Sequence, residues 1–106
     1  MPQTVTATDF ETEVLKSPLP VLVDFYATWC GPCKIMHPVM EELAQDYAGK
    51  IKVVKIDVDA QGELAAQFNI MSIPTFVFFK DGKPLKGFMG AQPKESVAKL
   101  IDAVIA

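Results

Sequence analysis

Residues 21–34 read VLVDFYATWCGPCK, and this stretch decides the fold because an apolar strand leads directly into a helix that carries two cysteines. Its first seven residues are almost continuously apolar, which is typical of a strand covered on both faces. Apolar residues at helical spacing follow the cysteines: Met36, Val39, Met40, Leu43, Ala44 and Tyr47. The sequence therefore predicts a buried strand, a short turn and an amphipathic helix.

The segment upstream of this unit predicts a strand and a helix. Residues 4–7 predict a short first strand. Thr8 and Glu11 have the spacing of a capping box, in which a threonine caps a helix and a glutamate three residues later completes the cap. A short helix follows, and the Ser17-Pro18 stretch ends it because proline and the residue before it disfavour helix.

The segment downstream predicts further strands and helices in alternation. Strands are expected at 51–58, 75–79 and 85–89, and helices at 62–68 and after Pro93. Between the last two strands, Asp81-Gly82 is a strong hairpin signal. The resulting order, βαβαβαββα, predicts an α/β fold with a mixed central sheet, in which early parallel strands are extended by an antiparallel hairpin at the edge.

Composition and charge exclude several classes of protein. The chain has 106 residues, half of them apolar, which fits one domain with one core. The net charge of -3 and the absence of a Lys/Arg run give no electrostatic case for binding nucleic acid or an anionic membrane. No secretory signal or membrane span is visible, so we expect a cytoplasmic protein, with a secreted form whose signal has been removed as the alternative.

Cys30 and Cys33, the only cysteines, predict reversible dithiol chemistry. Extending the apolar stripe backwards from Met36 places Cys33 on the inner face of the helix. Cys30 lies at the helix start, where its sulfur can face solvent and where free N–H groups and the helix dipole stabilise a thiolate. Pro32 suits the first helical turn. We therefore expect Cys30 to be the nucleophile and Cys33 the resolving cysteine.

Other interpretations of the cysteines are weaker. A structural bridge across so few residues would add little stability. A structural zinc site needs four ligands, and the chain offers Cys30, Cys33 and its one histidine, His37, so no metal is expected. His37 itself, one turn after Cys33, is expected to be an exposed helix residue. Two inert buried thiols are disfavoured by the tryptophan, glycine and proline around them.

Four other positions remain ambiguous from the residues alone. Asp24 interrupts an apolar strand, and it is either a desolvated carboxylate suited to proton transfer or an ordinary residue at a wet strand end. Lys55, like most lysines, is expected to be solvated. The base rate favours a trans bond before Pro74, and Gly90 is expected to be a simple turn glycine. The five methionines are expected mostly in the core.

Residues 24–34 (DFYATWCGPCK), together with five further elements, resemble the thioredoxin family over essentially the whole chain. The further elements are Pro38, Ile73-Pro74-Thr75, Gly82, Gly90 and Ala91. The resemblance implies the thioredoxin fold, a mixed five-stranded sheet flanked by four helices, in one domain over 1–106. Tyr26 departs from the family, many bacterial members of which carry a second tryptophan there.

The resemblance also implies roles for individual residues. Asp24 would accept the Cys33 proton, Lys55 would tune Asp24, and the Ile73–Pro74 bond would be cis and face the dithiol. The backbone at residue 73 would then pair with an extended substrate. A flat apolar rim around Cys30 would bind substrate, and it would consist of Trp29, Gly31, Pro32, Ile73, Pro74, Gly90 and Ala91.

The implied function is a thiol–disulfide oxidoreductase that reduces protein disulfides through a mixed disulfide. A thioredoxin reductase would re-reduce it, and its substrates would be multiple disulfide-containing proteins. The resemblance implies no cofactor besides the Cys30–Cys33 disulfide, and a monomer is the default expectation. An oxidant or isomerase is disfavoured by the Gly-Pro dipeptide between the cysteines. A binding module with an incidental dithiol is disfavoured because both cysteines are present.

Overall fold

The computed structural model describes residues 2–106 and contains one mixed sheet with the strand order β1-β3-β2-β4-β5. The strands are β1 (Gln3–Thr4), β2 (Val21–Tyr26), β3 (Lys52–Asp57), β4 (Thr75–Lys80) and β5 (Lys83–Met89). β1 and β2 run parallel to β3, whereas β4 runs antiparallel to both β2 and β5. The predicted α/β fold, with parallel strands first and a hairpin at the edge, is confirmed.

Four helices connect and cover these strands. They are α1 (Glu11–Leu15), a single π-helical turn, α2 (Gly31–Asp46), α3 (Gly62–Gln67) and α4 (Lys94–Ile105). α2 contains Pro38, and Pro93 precedes α4 as predicted. Helix and strand bounds otherwise lie within one or two residues of the predicted ones downstream of residue 20.

The N-terminal segment differs from the prediction. The first strand is only Gln3–Thr4, and α1 has no side-chain cap. The reason lies with Asp9, whose Oδ1 accepts hydrogen bonds from the backbone N–H of Thr6 at 2.7 Å and from its hydroxyl at 3.1 Å. These bonds form a turn directly after the strand, so the predicted capping box of Thr8 and Glu11 does not form.

β2 lies at the centre of the molecule, and all six of its residues are buried. One face of the sheet packs Leu22 against apolar residues of α2 and α4. The other face packs Val21, Val23 and Phe25 against α1 and α3. Burial on both faces explains the nearly continuous apolar sequence of β2, and it places the C-terminal end of this strand beside the start of α2.

The hairpin between β4 and β5 turns at Asp81 and Gly82, as predicted. Both have positive φ, 54° and 78°, the backbone conformation for which Asp-Gly is preferred in two-residue hairpin turns. At the opposite end of the hairpin, the N–H of Gly90 donates to the carbonyl oxygen of Pro74 at 2.8 Å. This bond holds the 73–74 and 90–91 loops together.

Candidate active site

The dithiol lies at the N-terminus of α2, where Cys30 and Cys33 form a disulfide. Cys30 caps the helix in an extended conformation, and the backbone N–H of Cys33 donates to Cys30 Sγ at 3.2 Å. Pro32 occupies the first turn, so no helical hydrogen bond is lost there. A negative charge on Cys30 would be stabilised by this N–H and by the positive end of the helix dipole.

Both cysteines are shielded from solvent in the disulfide form. Cys33 is 1% exposed and Cys30 is 4% exposed. Cys30 Sγ lies 3.8 Å from the carbonyl oxygen of Ile73, in the loop that covers it. The expectation that the Cys30 sulfur faces solvent is therefore wrong for the disulfide form. Sequence periodicity describes only the helix itself, so it could not indicate that a distant loop covers this sulfur.

Asp24 is a buried carboxylate, only 3% exposed, beneath the dithiol end of the sheet. Its register neighbours are Lys55 on β3 and Phe76 on β4, and its Oδ1 has no hydrogen-bond partner. Burial raises the pKa of Asp24 to about 7, and the charge of Lys55 opposes that rise. The alternative of a wet strand end is excluded, whereas the proton-transfer role remains a prediction.

Lys55 is half-buried and faces the same side of the sheet as Asp24. Among the residues that the structure describes, no ion pair joins the two. Lys55 Nζ instead lies over the ring of Tyr26, 5.5 Å from its centroid, which is within cation–π range. Lys55 is therefore partly buried against Tyr26 and is not fully solvated as expected.

His37 is half-buried, not exposed as expected. Its ring lies edge-on to Tyr26, with a centroid distance of 5.6 Å and an interplanar angle of 70°. In the described part of the chain, no group of three or more histidine, cysteine or acidic side chains could hold a metal ion. The histidine that the sequence offered as a third zinc ligand packs against an aromatic ring.

The predicted rim residues are brought together around the disulfide from three segments. Trp29, Gly31 and Pro32 are exposed beside the cysteines, and Trp29 is 68% exposed. Ile73 is half-buried and packs on the cysteines, and its bond to Pro74 is cis, as the family resemblance implies. Pro74 is buried, Gly90 is half-buried with positive φ, and Ala91 is exposed.

Sequence reasoning missed two residues near the rim, Asp59 and Met89, and did not expect Met71 to be exposed. Asp59 Oδ2 accepts a hydrogen bond from Trp29 Nε1 at 2.8 Å and so orients the indole. Met71 and Met89 are 92% and 62% exposed, so the expectation of mostly buried methionines fails for two of the four described. The Ser72 hydroxyl donates to Met89 Sδ at 3.1 Å. Of these residues, only Asp59 had a signal in the sequence, because it lies just after β3.

Two other features lie outside the dithiol region. A surface cleft of about 590 Å³ lies between α1 and α3, and its lining includes Phe10, Leu64 and Phe68. Within residues 2–106, the helices are all too short or too polar to cross a lipid bilayer.

Comparison with known proteins gives concordant results. The family model described as "Thioredoxin" matches residues 1–103. Proteins named "Thioredoxin" from Staphylococcus aureus strains MW2, N315 and COL are each 51% identical to this chain over 98 residues, which is 92% of this chain and 92% of each relative.

Proposed function

The chain belongs to the thioredoxin family and is a thiol–disulfide oxidoreductase, and from this premise we propose that it works as a single-domain, monomeric reductant of protein disulfides. Its electrons would come from a thioredoxin reductase, and its substrates would be various proteins with accessible disulfides in the cytoplasm. The observation that carries the proposal is the Cys30–Cys33 pair at the N-terminus of α2.

Cys30 makes the first attack in this proposal. In the reduced protein, its thiolate attacks one sulfur of the substrate disulfide, forms a mixed disulfide and releases the other substrate sulfur as a thiolate, which takes up a proton. Cys30 suits this role because it lies at the helix end, where Cys33 N–H is directed at its sulfur. The 73–74 loop must yield slightly to the substrate, since it covers Cys30 in the disulfide form.

Cys33 completes the reaction. Its thiol loses a proton, the resulting thiolate attacks Cys30 Sγ, and the substrate leaves as a second thiol while the Cys30–Cys33 bond forms. We assign the proton acceptor role to Asp24, directly or through a water molecule, because a buried carboxyl with a pKa of about 7 can accept and lose a proton near neutral pH. Lys55 tunes that carboxyl by its charge.

The apolar rim suits an extended substrate segment. Trp29, Gly31, Pro32 and Ala91 offer exposed surface beside the disulfide, and the backbone at Ile73 lies against Cys30 Sγ. Backbone hydrogen bonds from this loop to an extended peptide would hold the substrate without reading its side chains. Such recognition fits substrates that differ in sequence and share an accessible disulfide.

The reduction potential of the Cys30/Cys33 couple tests the direction of electron flow. We expect about -270 mV, which is the value for thioredoxin itself and comes from the family and not from this geometry. Equilibration of the protein against a defined thiol buffer would measure it. A potential between about -180 and -120 mV would instead identify an isomerase or oxidant.

Trapping with insulin, a model disulfide substrate, tests which of the two cysteines attacks the substrate first. Cys33→Ser is expected to accumulate a mixed disulfide with insulin, whereas the matched Cys30→Ser variant is expected to accumulate none. The reverse pattern would exchange the two assigned roles.

A further inference from the structure

The ring of Tyr26 is the meeting point of three chemically distinct parts of the site. Lys55 Nζ lies over its face, and His37 lies at its side in an edge-to-face contact. The ring also packs in one cluster with Cys30 and Cys33 and is only 8% exposed. Tyr26 follows Asp24 by two residues on β2, so strand alternation places both side chains on the same face.

The position of Lys55 calls for an explanation because its nearest register neighbour is Asp24 and not Tyr26. Cα partners across parallel strands carry their side chains on the same face, which brings the Lys55 stem beside the carboxyl of Asp24. Yet no ion pair joins Lys55 to Asp24 within the described chain, and Asp24 Oδ1 has no partner. The Lys55 ammonium instead lies further along the strand, over the Tyr26 ring and towards the dithiol.

We propose that Tyr26 is a positioning residue for the redox reaction: its ring holds the Lys55 ammonium away from the Asp24 carboxyl and so preserves the basicity of that carboxyl. The proposal rests on the proposed role of Asp24 for its catalytic meaning. The physical reason is that a cation partly removed from water is attracted to the face of an aromatic ring. Without the ring, the unpartnered Oδ1 of Asp24 becomes available to the ammonium, and Asp57, two residues along β3 on the same face, is the competing carboxylate.

The groups that surround Asp24 determine which partners compete for the Lys55 ammonium. β3 contributes Lys55 and, further along, Asp57, and β4 contributes the apolar Phe76. α2 contributes the cysteines, which do not titrate as a disulfide, and His37, which contacts Tyr26. Burial, Asp57 and Asp24 together raise the pKa of the Tyr26 hydroxyl, so the ring is neutral near pH 7. Lys55 is therefore the one lysine in this set, and its ammonium is the cation for which the ring and the carboxyl compete.

A direct contact with Lys55 would change the reaction by making Asp24 a weaker base. An opposite charge at ion-pair distance lowers a carboxyl pKa by roughly one to three units. Asp24 would then remain ionised near neutral pH and would accept the Cys33 proton less readily. Tyr26 therefore keeps the titration of Asp24 in the range where Cys33 has to lose its proton.

The test follows the titration of the Asp24 side-chain carboxyl carbon by NMR in the full-length disulfide form. The midpoint is expected near 7 in the unaltered protein. Tyr26→Phe retains the ring and should leave the midpoint unchanged, whereas Tyr26→Leu should lower it by about one pH unit or more. Tyr26→Met, which also lacks a ring but fills more of the space, is the second variant if Tyr26→Leu does not fold.

A double variant separates the proposal from simple entry of water. If Lys55 moves onto Asp24 in Tyr26→Leu, adding Lys55→Met should return the midpoint to 7 or above. If the midpoint stays low without Lys55, water in the vacated space explains the fall and the proposal is wrong. An unchanged midpoint in Tyr26→Leu and Tyr26→Met would also overturn it. Because this readout requires no turnover, it is independent of whether the proposed reductase activity holds.

Discussion

At the scale of single residues, Asp24 shows the strongest conflict between stability and chemistry. It lies in the central strand at 3% exposure, and one of its oxygens has no hydrogen-bond partner. An apolar residue would be more stable there, because burying an unpaired carboxylate costs free energy. Protonation of the carboxyl removes the charge and with it the larger part of this cost, so the stability of the protein must depend on pH.

Asp24→Asn is predicted to remove most of this dependence. The folded pKa, about 7, exceeds the ordinary value of 3.8, so the folded state binds more protons between these values. The free energy of unfolding therefore falls as pH rises from about 4 to 7, by up to about 4 kcal/mol. Relative to the unaltered protein, Asp24→Asn should gain stability progressively over this range.

Urea denaturation of the disulfide form at pH 4.5, 6 and 8 would measure this gain. Asp81→Asn, at the exposed hairpin turn, is the matched control and should show no comparable trend. A stability difference for Asp24→Asn that does not vary with pH would contradict the assigned pKa.

At the scale of secondary-structure elements, the β4–β5 hairpin depends on a close approach of its two strands at Gly87. A Cβ at Gly87 would collide with the carbonyl oxygen of Phe76, a backbone atom that cannot move aside. Near this point the pairing contains an irregularity between Val77 and Phe79, and the rings of Phe76 and Phe88 stack at 4.6 Å. The Asp-Gly turn could be predicted because its signal is local, whereas Gly87 could not, since the atom it avoids belongs to the neighbouring strand.

Gly87→Ala is accordingly expected to destabilise the protein by about 2 kcal/mol or more, because the added methyl group forces the two strands apart. Thermal and urea denaturation would measure the loss. Gly62→Ala, at the start of α3 where an added Cβ meets nothing, is the control and should be neutral or slightly stabilising. A loss for Gly87→Ala no larger than that of the control would show that the strands adjust freely.

At the scale of the whole molecule, stability resides mainly in the two apolar faces of the sheet, and the disulfide contributes a smaller part. α2 and α4 are further joined by Lys94, which pairs with Glu42 and Asp46, and by the Tyr47 hydroxyl, which donates to Asp102. The disulfide lies at one edge of this framework and closes a very short loop. A redox carrier benefits from this separation, because it must keep its fold in both redox states.

Reduction of the disulfide is predicted to lower the free energy of unfolding by about 2 kcal/mol, the value expected from chain entropy for so short a loop. Guanidinium denaturation of the oxidised and reduced forms would give the difference. The Cys30→Ser, Cys33→Ser double variant should match the reduced form. A difference above about 4 kcal/mol would indicate a structural bridge, contrary to the proposed function.

The sequence by itself determined the order of strands and helices downstream of residue 20, the hairpin turn and the placement of both cysteines at a helix N-terminus. Each of these depends on local periodicity or on the conformational preferences of adjacent residues. The resemblance to a family added the cis bond before Pro74, which base rates opposed.

Only the tertiary structure decided which distant residues meet. It placed Lys55 over Tyr26, joined Trp29 to Asp59, and brought the Ile73 loop over Cys30. It also left Met71 exposed. These facts follow from strand register and loop packing, which bring together residues far apart in the chain and so leave no periodic signal in the sequence.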